Sequence, residues 1–114
     1  MVGTDFSGTF PKNTREVTPG SSVATAVEVA PAGAVIFGIT IQNRHSAGAI
    51  TVSGVPNGVG GSTSDDFRFG AIVAASGIYS QMSPLGLGVT ASGIKVYSTS
   101  AGGTSSLVTV SSDI

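Results

Sequence analysis

The residues of this chain that could do chemistry are few and poorly placed for it. Its single histidine, His45, lies between Arg44 and Ser46. An imidazole there could serve a serine as general base only if a carboxylate oriented it and a hydroxyl touched it. The position reads as a turn after an apolar run, and none of the many serines stands in a nucleophile-elbow motif, so His45 is read as a turn residue. Asp65-Asp66 is the only acidic pair. Neighbours on a strand point to opposite faces, so the two carboxylates cannot easily share a proton or a substrate. In a loop they could lend oxygen ligands to calcium, but no further carboxylate or EF-hand spacing accompanies them. They read as solvated charges that blunt the start of a strand. Gly86-Leu87-Gly88 could cradle phosphate only ahead of a helix N-terminus, and no helical pattern follows.

Tyr79, Tyr97, Phe67 and Phe69, with Arg68 among them, could stack single-stranded nucleic acid. Such binding needs a basic channel, whereas Lys12, Arg15, Arg44, Arg68 and Lys95 stand apart and the net charge is −1. These aromatics are read as core and interface residues, and nucleic acid is not an expected partner. Cysteine is absent, which removes disulfides and thiolate metal sites. The expectation is a protein that is not an enzyme and uses no cofactor.

The composition points elsewhere. Only 11 of 114 residues are charged, and 40% are apolar. Soluble domains carry roughly 25% charged residues, so this surface has little to hold it apart from its neighbours. The reading is a building block whose surface is largely covered by other protein. The length allows one domain with a real core. The start, Met1-Val2-Gly3-Thr4-Asp5, lacks the basic head and apolar run of a signal peptide. The longest apolar stretch, Ala30 to Ile41, is broken by Pro31, Gly33, Gly38 and Thr40 and falls short of a membrane span. Synthesis in the cytoplasm, with no membrane partner, is expected.

Along the chain, residues 1–20 show neither period and are read as an extended N-terminal arm, with residues 21–114 forming the domain. Phe6, Phe10, Pro11 and Arg15 are the candidate partner-binding residues of that arm. Val23, Thr25, Val27 and Val29 alternate as in a half-buried strand, and Pro31-Ala32-Gly33 makes a turn. Val35, Phe37, Ile39 and Ile41 mark one face of the strongest strand. Asn43 to Gly48 then reads as the close of a hairpin to Ala49-Ile50-Thr51-Val52. Residues 53–66, rich in Gly and Ser, read as a mobile loop. Strands resume at 67–74, 78–82, 85–89, 94–99 and 107–110. About eight short strands spaced by turns indicate an all-β fold, a single β-sandwich that is jelly-roll-like or Ig-like. On this reading, deleting residues 1–18 leaves the sandwich folded, and shortening 54–66 costs little stability.

From Phe37 onward the pattern resembles small β-sandwich virion structural proteins of tailed bacteriophages. It runs through Gly38-Ile39-Thr40-Ile41-Gln42-Asn43, the step to Ala49-Ile50-Thr51-Val52, and Ile72-Val73-Ala74-Ala75-Ser76-Gly77. Pro84-Leu85-Gly86-Leu87-Gly88-Val89, Ser92-Gly93-Ile94-Lys95-Val96 and the closing strand from Thr104 to Val110 complete it. Ser76-Gly77 and Ser92-Gly93 stand where a fuller match has paired glycines or Ala-Gly. The resemblance implies a virion location and a capsid decoration or cement protein that stabilises capsomer joints. Its partners would be itself, as a homotrimer, and a major capsid or other virion protein, with the arm tying subunits together. A neck, tail or fibre-associated component is the alternative within the virion. A carbohydrate-binding β-sandwich module is the alternative outside it.

Overall fold

The computed structural model describes residues 11–58 and 67–114. Among them are nine strands: β1 (Asn13–Val17), β2 (Val27–Ala30), β3 (Ala34–Gln42), β4 (Ile50–Pro56), β5 (Phe69–Val73), β6 (Ile78–Met82), β7 (Gly88–Thr90), β8 (Ile94–Tyr97) and β9 (Leu107–Ser112). They form two antiparallel sheets, the first ordered β1-β9-β3-β6 with the short β7 also on β3, the second ordered β2-β8-β4-β5. Setting β7 aside, each sheet takes four strands in an order that crosses repeatedly from one layer to the other. This is the strand order of a jelly roll, the first of the two sandwich types expected.

The core is the contact of the two inner faces. Ala34, Ile36, Ile39 and Ile41 of β3, with Val108 and Val110 of β9, meet Ile50 and Val52 of β4, Ala71 and Val73 of β5, and Ile94 and Val96 of β8. Phe67, Phe69, Tyr79 and Leu87 pack against its margins. The period-2 expectation holds for β5, where Ala71 and Val73 are buried and Ile72 is exposed, and for β8, where Ile94 and Val96 are buried and Ser98 follows them in.

It fails in β3 for one reason. The register on β9 passes from Ile36↔Ser112 to Gly38↔Ser111, so Phe37 is an extra residue. Such a bulge resets the alternation. Ala34 and Ile36 face the core before it and Ile39 and Ile41 after it, while Phe37 and Val35 lie on the opposite side from Ile39 and Ile41. A second bulge, at Val29 between Glu28↔Lys95 and Ala30↔Ile94, buries Val29 and Ala30 side by side. The expected strand at 23–29 is consequently shorter. Val23–Thr25 is a 3-10 turn, in which Thr25 Oγ1 accepts the Ser22 N–H at 3.1 Å, a local bond that competes with strand pairing.

Three further expectations change. Residues 43–49 do not close a hairpin, because β3 and β4 belong to different sheets; they are a corner across the sandwich. Ser53 to Pro56 are not loop but the second half of β4, paired with both β5 and β8. The rest of the glycine-rich segment, residues 59–66, lies outside the described residues. The sandwich also begins before residue 21. Asn13–Val17 lie antiparallel on β9, from Asn13↔Ser112 to Val17↔Val108, and Val17 packs against the core.

Asn43 makes the corner. Its side chain is 1% exposed, and its Nδ2 donates to Gly48 O at 3.0 Å, Val73 O at 3.1 Å and Ala74 O at 3.0 Å. Its Oδ1 accepts the His45 N–H at 2.8 Å. One amide thus ties the β3–β4 corner to the β5–β6 turn. Asn43→Ala strands those acceptors, and thermal unfolding should show a loss of about 2–4 kcal/mol, or roughly 10–20 °C in Tm. Deleting residues 1–18 removes β1 and bares the β9 edge. We therefore expect a folded but weakened chain, with Tm lowered by roughly 10 °C or more; an unchanged Tm would show that β1 contributes nothing to the sandwich.

Candidate interaction surface

The bulge in β3 has an outward product. Phe37, only 3% exposed yet outside the main cluster, forms the floor of a hollow on the outer side of the first sheet. Pro11, Met82, Ser83, Pro84 and Ser111 complete its walls, enclosing about 270 Å³. Gly38 keeps the floor low: a Cβ there would sit 3.3 Å from the Met82 Cε. The turn after β6 is bound to β3 on either side of the bulge, with Ser83 N–H donating to Phe37 O at 2.9 Å and Leu87 N–H donating to Ile36 O at 2.6 Å. Gly86, at φ +96°, gives that turn its left-handed residue. This is what Gly86-Leu87-Gly88 does. No helix follows it, and Leu87 packs on the core.

Beside the hollow lies a concentration of exposed apolar side chains. Met82 is 72% exposed, Leu85 91%, Ile78 67% and Val89 55%, whereas Ile72, 76% exposed, points outward from the other sheet. All five fall in the stretch from Phe69 to Ile94, 26 residues without one charged side chain. Isolated exposed apolar residues are ordinary, whereas a concentration of them on one side marks an interaction surface. Of the described charges, Arg15 and Glu16 lie on β1, Glu28 on β2 and Lys95 on β8 beside β2. Lys12 follows Pro11 of the hollow, Arg44 follows Asn43 at the Ile78 end of β6, Arg68 follows Phe67, whose N–H donates to Val89 O, and Asp113 bonds Val35.

The residues singled out in the sequence are placed as follows. Phe6 and Phe10 lie outside the described residues. Pro11 lines the hollow. Arg15 is engaged within its own chain, its Nη1 donating to Ile114 O at 2.8 Å and to Ser112 Oγ at 3.3 Å. His45 lies in the corner, half-buried, its ring where a Cβ on Gly102 would fall, while its backbone bonds Asn43 and Ser76. Asp65 and Asp66 lie outside the described residues. Among the described residues, no three His, Cys, Asp or Glu side chains come together to hold a metal ion. Phe67 and Phe69 face each other with ring centroids 6.3 Å apart against the core margin. The hollow and its apolar rim were missed in the sequence because a regular β3 would have put Phe37 inside. The available signal was the charge-free run.

The exposed side chains contribute little to the fold they stand on. The double change Met82→Ser and Leu85→Ser should therefore leave Tm within about 3 °C while lowering the binding of a dye specific for apolar surface. A large fall in Tm would mean that these residues belong to the core.

No family model, curated protein or solved structure matches this chain; the likeness to phage virion proteins rests on its own residue pattern.

Proposed function

We propose that this chain is a structural subunit of a protein assembly, and specifically a virion protein of the capsid-decorating kind that acts by binding at capsomer joints. The observation that carries the proposal is the group of exposed apolar side chains supplied by the charge-free run from Phe69 to Ile94: Ile78, Met82, Leu85 and Val89 beside the Phe37 hollow. Left in water, such a surface favours self-association and precipitation. Seated on a neighbour, it gains about 25 cal/mol for each Å² of apolar area covered. The cost of association consumes much of that gain at a standard interface of about 800 Å² per partner, and repetition over a lattice multiplies what remains through avidity.

The jelly-roll order is compatible with this role, since capsid proteins use it, as do lectins and cupins; the fold itself assigns no function. The residue-pattern resemblance to tailed-phage virion proteins supplies the choice among them. Localisation to the virion, with synthesis in the host cytoplasm, belongs to the same proposal.

Immunogold labelling of purified virions, with antibody raised against this chain, is the test. Label over the whole capsid shell is the expected result. Label confined to neck or tail would move the subunit to that part of the particle and reject the decoration role. Its absence from virions would reject both.

A further inference from the structure

We propose that the open edge of β6 pairs antiparallel with β6 of a second copy of this chain, across a two-fold axis centred on Ser80. The inference rests on the reading of the chain as an assembly subunit and names the partner as the chain itself.

The backbone decides which groups are available. β6 lies on β3 in unbroken register from Gly38↔Met82 to Gln42↔Ile78. Just beyond its ends, Ser83 N–H donates to Phe37 O and Asn43 N–H to Gly77 O, each at 2.9 Å. In an antiparallel ladder, pairs alternate between bonded and non-bonded. The bonded ones here are therefore 37/83, 39/81, 41/79 and 43/77. Tyr79 and Gln81 bond β3, while Ile78, Ser80 and Met82 direct their N–H and C=O groups toward the other edge. No strand lies beyond β6 among the described residues.

The side chains suit a copy of themselves. Ile78, Ser80 and Met82 share the outer face, where Ser80 Oγ lies 3.2 Å from Thr40 Oγ1. Antiparallel pairing about Ser80 sets Ile78 opposite Met82 of the second copy, and Met82 opposite its Ile78, as two apolar cross-strand pairs. On the inner face Tyr79 meets Gln81, a pairing the chain already makes within itself through Tyr79 O–H donating to Gln81 Oε1 at 2.9 Å. The sequence Ile-Tyr-Ser-Gln-Met is thus apolar and polar in mirror order about its centre.

Charge supports this edge over β1 and β2. A two-fold contact brings groups at the axis near their own copies, so a charge placed there would meet a like charge. The run from Phe69 to Ile94 has none. The edge strand β1 carries Arg15 and Glu16, and the edge strand β2 carries Glu28 and a bulge, which are the ordinary protections against edge pairing. β6 has no charge, no proline and no bulge.

Ser80→Cys provides the positional test in a chain without native cysteine. The paired Cα atoms would lie about 5.5 Å apart, within disulfide range. Mild oxidation should give a disulfide-linked dimer with Ser80→Cys, and none with Thr109→Cys, which sits on the same outer face two strands away. Light scattering of the unmodified chain should give twice the 11.2 kDa monomer mass. Ser80→Pro and Ile78→Lys should each weaken the dimer roughly tenfold or more, with far-ultraviolet circular dichroism unchanged. Ile78 is exposed, so its replacement serves if the proline variant does not fold. A monomer, a trimer, or a dimer indifferent to both changes would overturn the pairing. A monomer still found on virions would reject the pairing and keep the assembly reading; a cross-linked dimer absent from virions would do the reverse.

Discussion

The Asn43 side chain holds the sandwich at the point where two layers must be joined twice. The chain leaves the first sheet at β3 to reach β4, and leaves the second at β5 to reach β6. Each crossing takes backbone out of its ladder and leaves carbonyls without strand partners, a cost that buried peptide groups do not tolerate. A single amide bonded to Gly48, Val73 and Ala74 answers both crossings. The β5–β6 turn that it fixes, with Ser76 at φ +56°, delivers β6 to the edge of the first sheet. The exposed edge and the rim of the hollow inherit their position from that bond.

Much of this fold is legible in the residues, and what is not has identifiable causes. β5 and β8 follow their alternation because one face of each is buried and nothing interrupts the pleat. Their existence needs only the preference of a half-buried strand for apolar residues at every second position. β1 was invisible because Asn-Thr-Arg-Glu-Val carries one apolar side chain, and its pairing depends on β9, some ninety residues away. Val55 and Pro56 looked like loop because glycine and proline flank them. Pairing with β8, through Val55↔Lys95 and Pro56↔Ile94, makes strand of them all the same. The corner at Asn43 mimics a hairpin in sequence, since a short polar link serves either connection. Only the competition among strands for partners separates the two.

The site shows the same division. The shortage of charge was plain, and so was the scarcity of catalytic groups. The location of the apolar surface was not, because it hangs on one extra residue in β3. With a regular strand, Phe37 would have added to the core and no hollow would exist. The bulge instead turns a large aromatic outward and covers it with Met82 and the turn beginning at Ser83 and Pro84. Low charge overall and the uncharged run from Phe69 to Ile94 then act together, leaving the side chains of that run poorly hydrated.

The pairing of β1 with β9 bears on how the protein is made. Asn13 and Ser112 are partners, so the outermost ladder of the first sheet joins the beginning of the described chain to its end. On the ribosome β1 must wait for β9, some ninety residues further on, before the outermost ladder can form. Folds dominated by such distant pairings form in milliseconds to seconds. Throughout that interval the uncharged strands β5 to β7 are present without the layer that covers their inner faces. Rapid, concentrated synthesis would therefore favour tangled aggregates over native subunits, and the yield of this protein should depend more on the rate of its translation than on the stability of its finished fold.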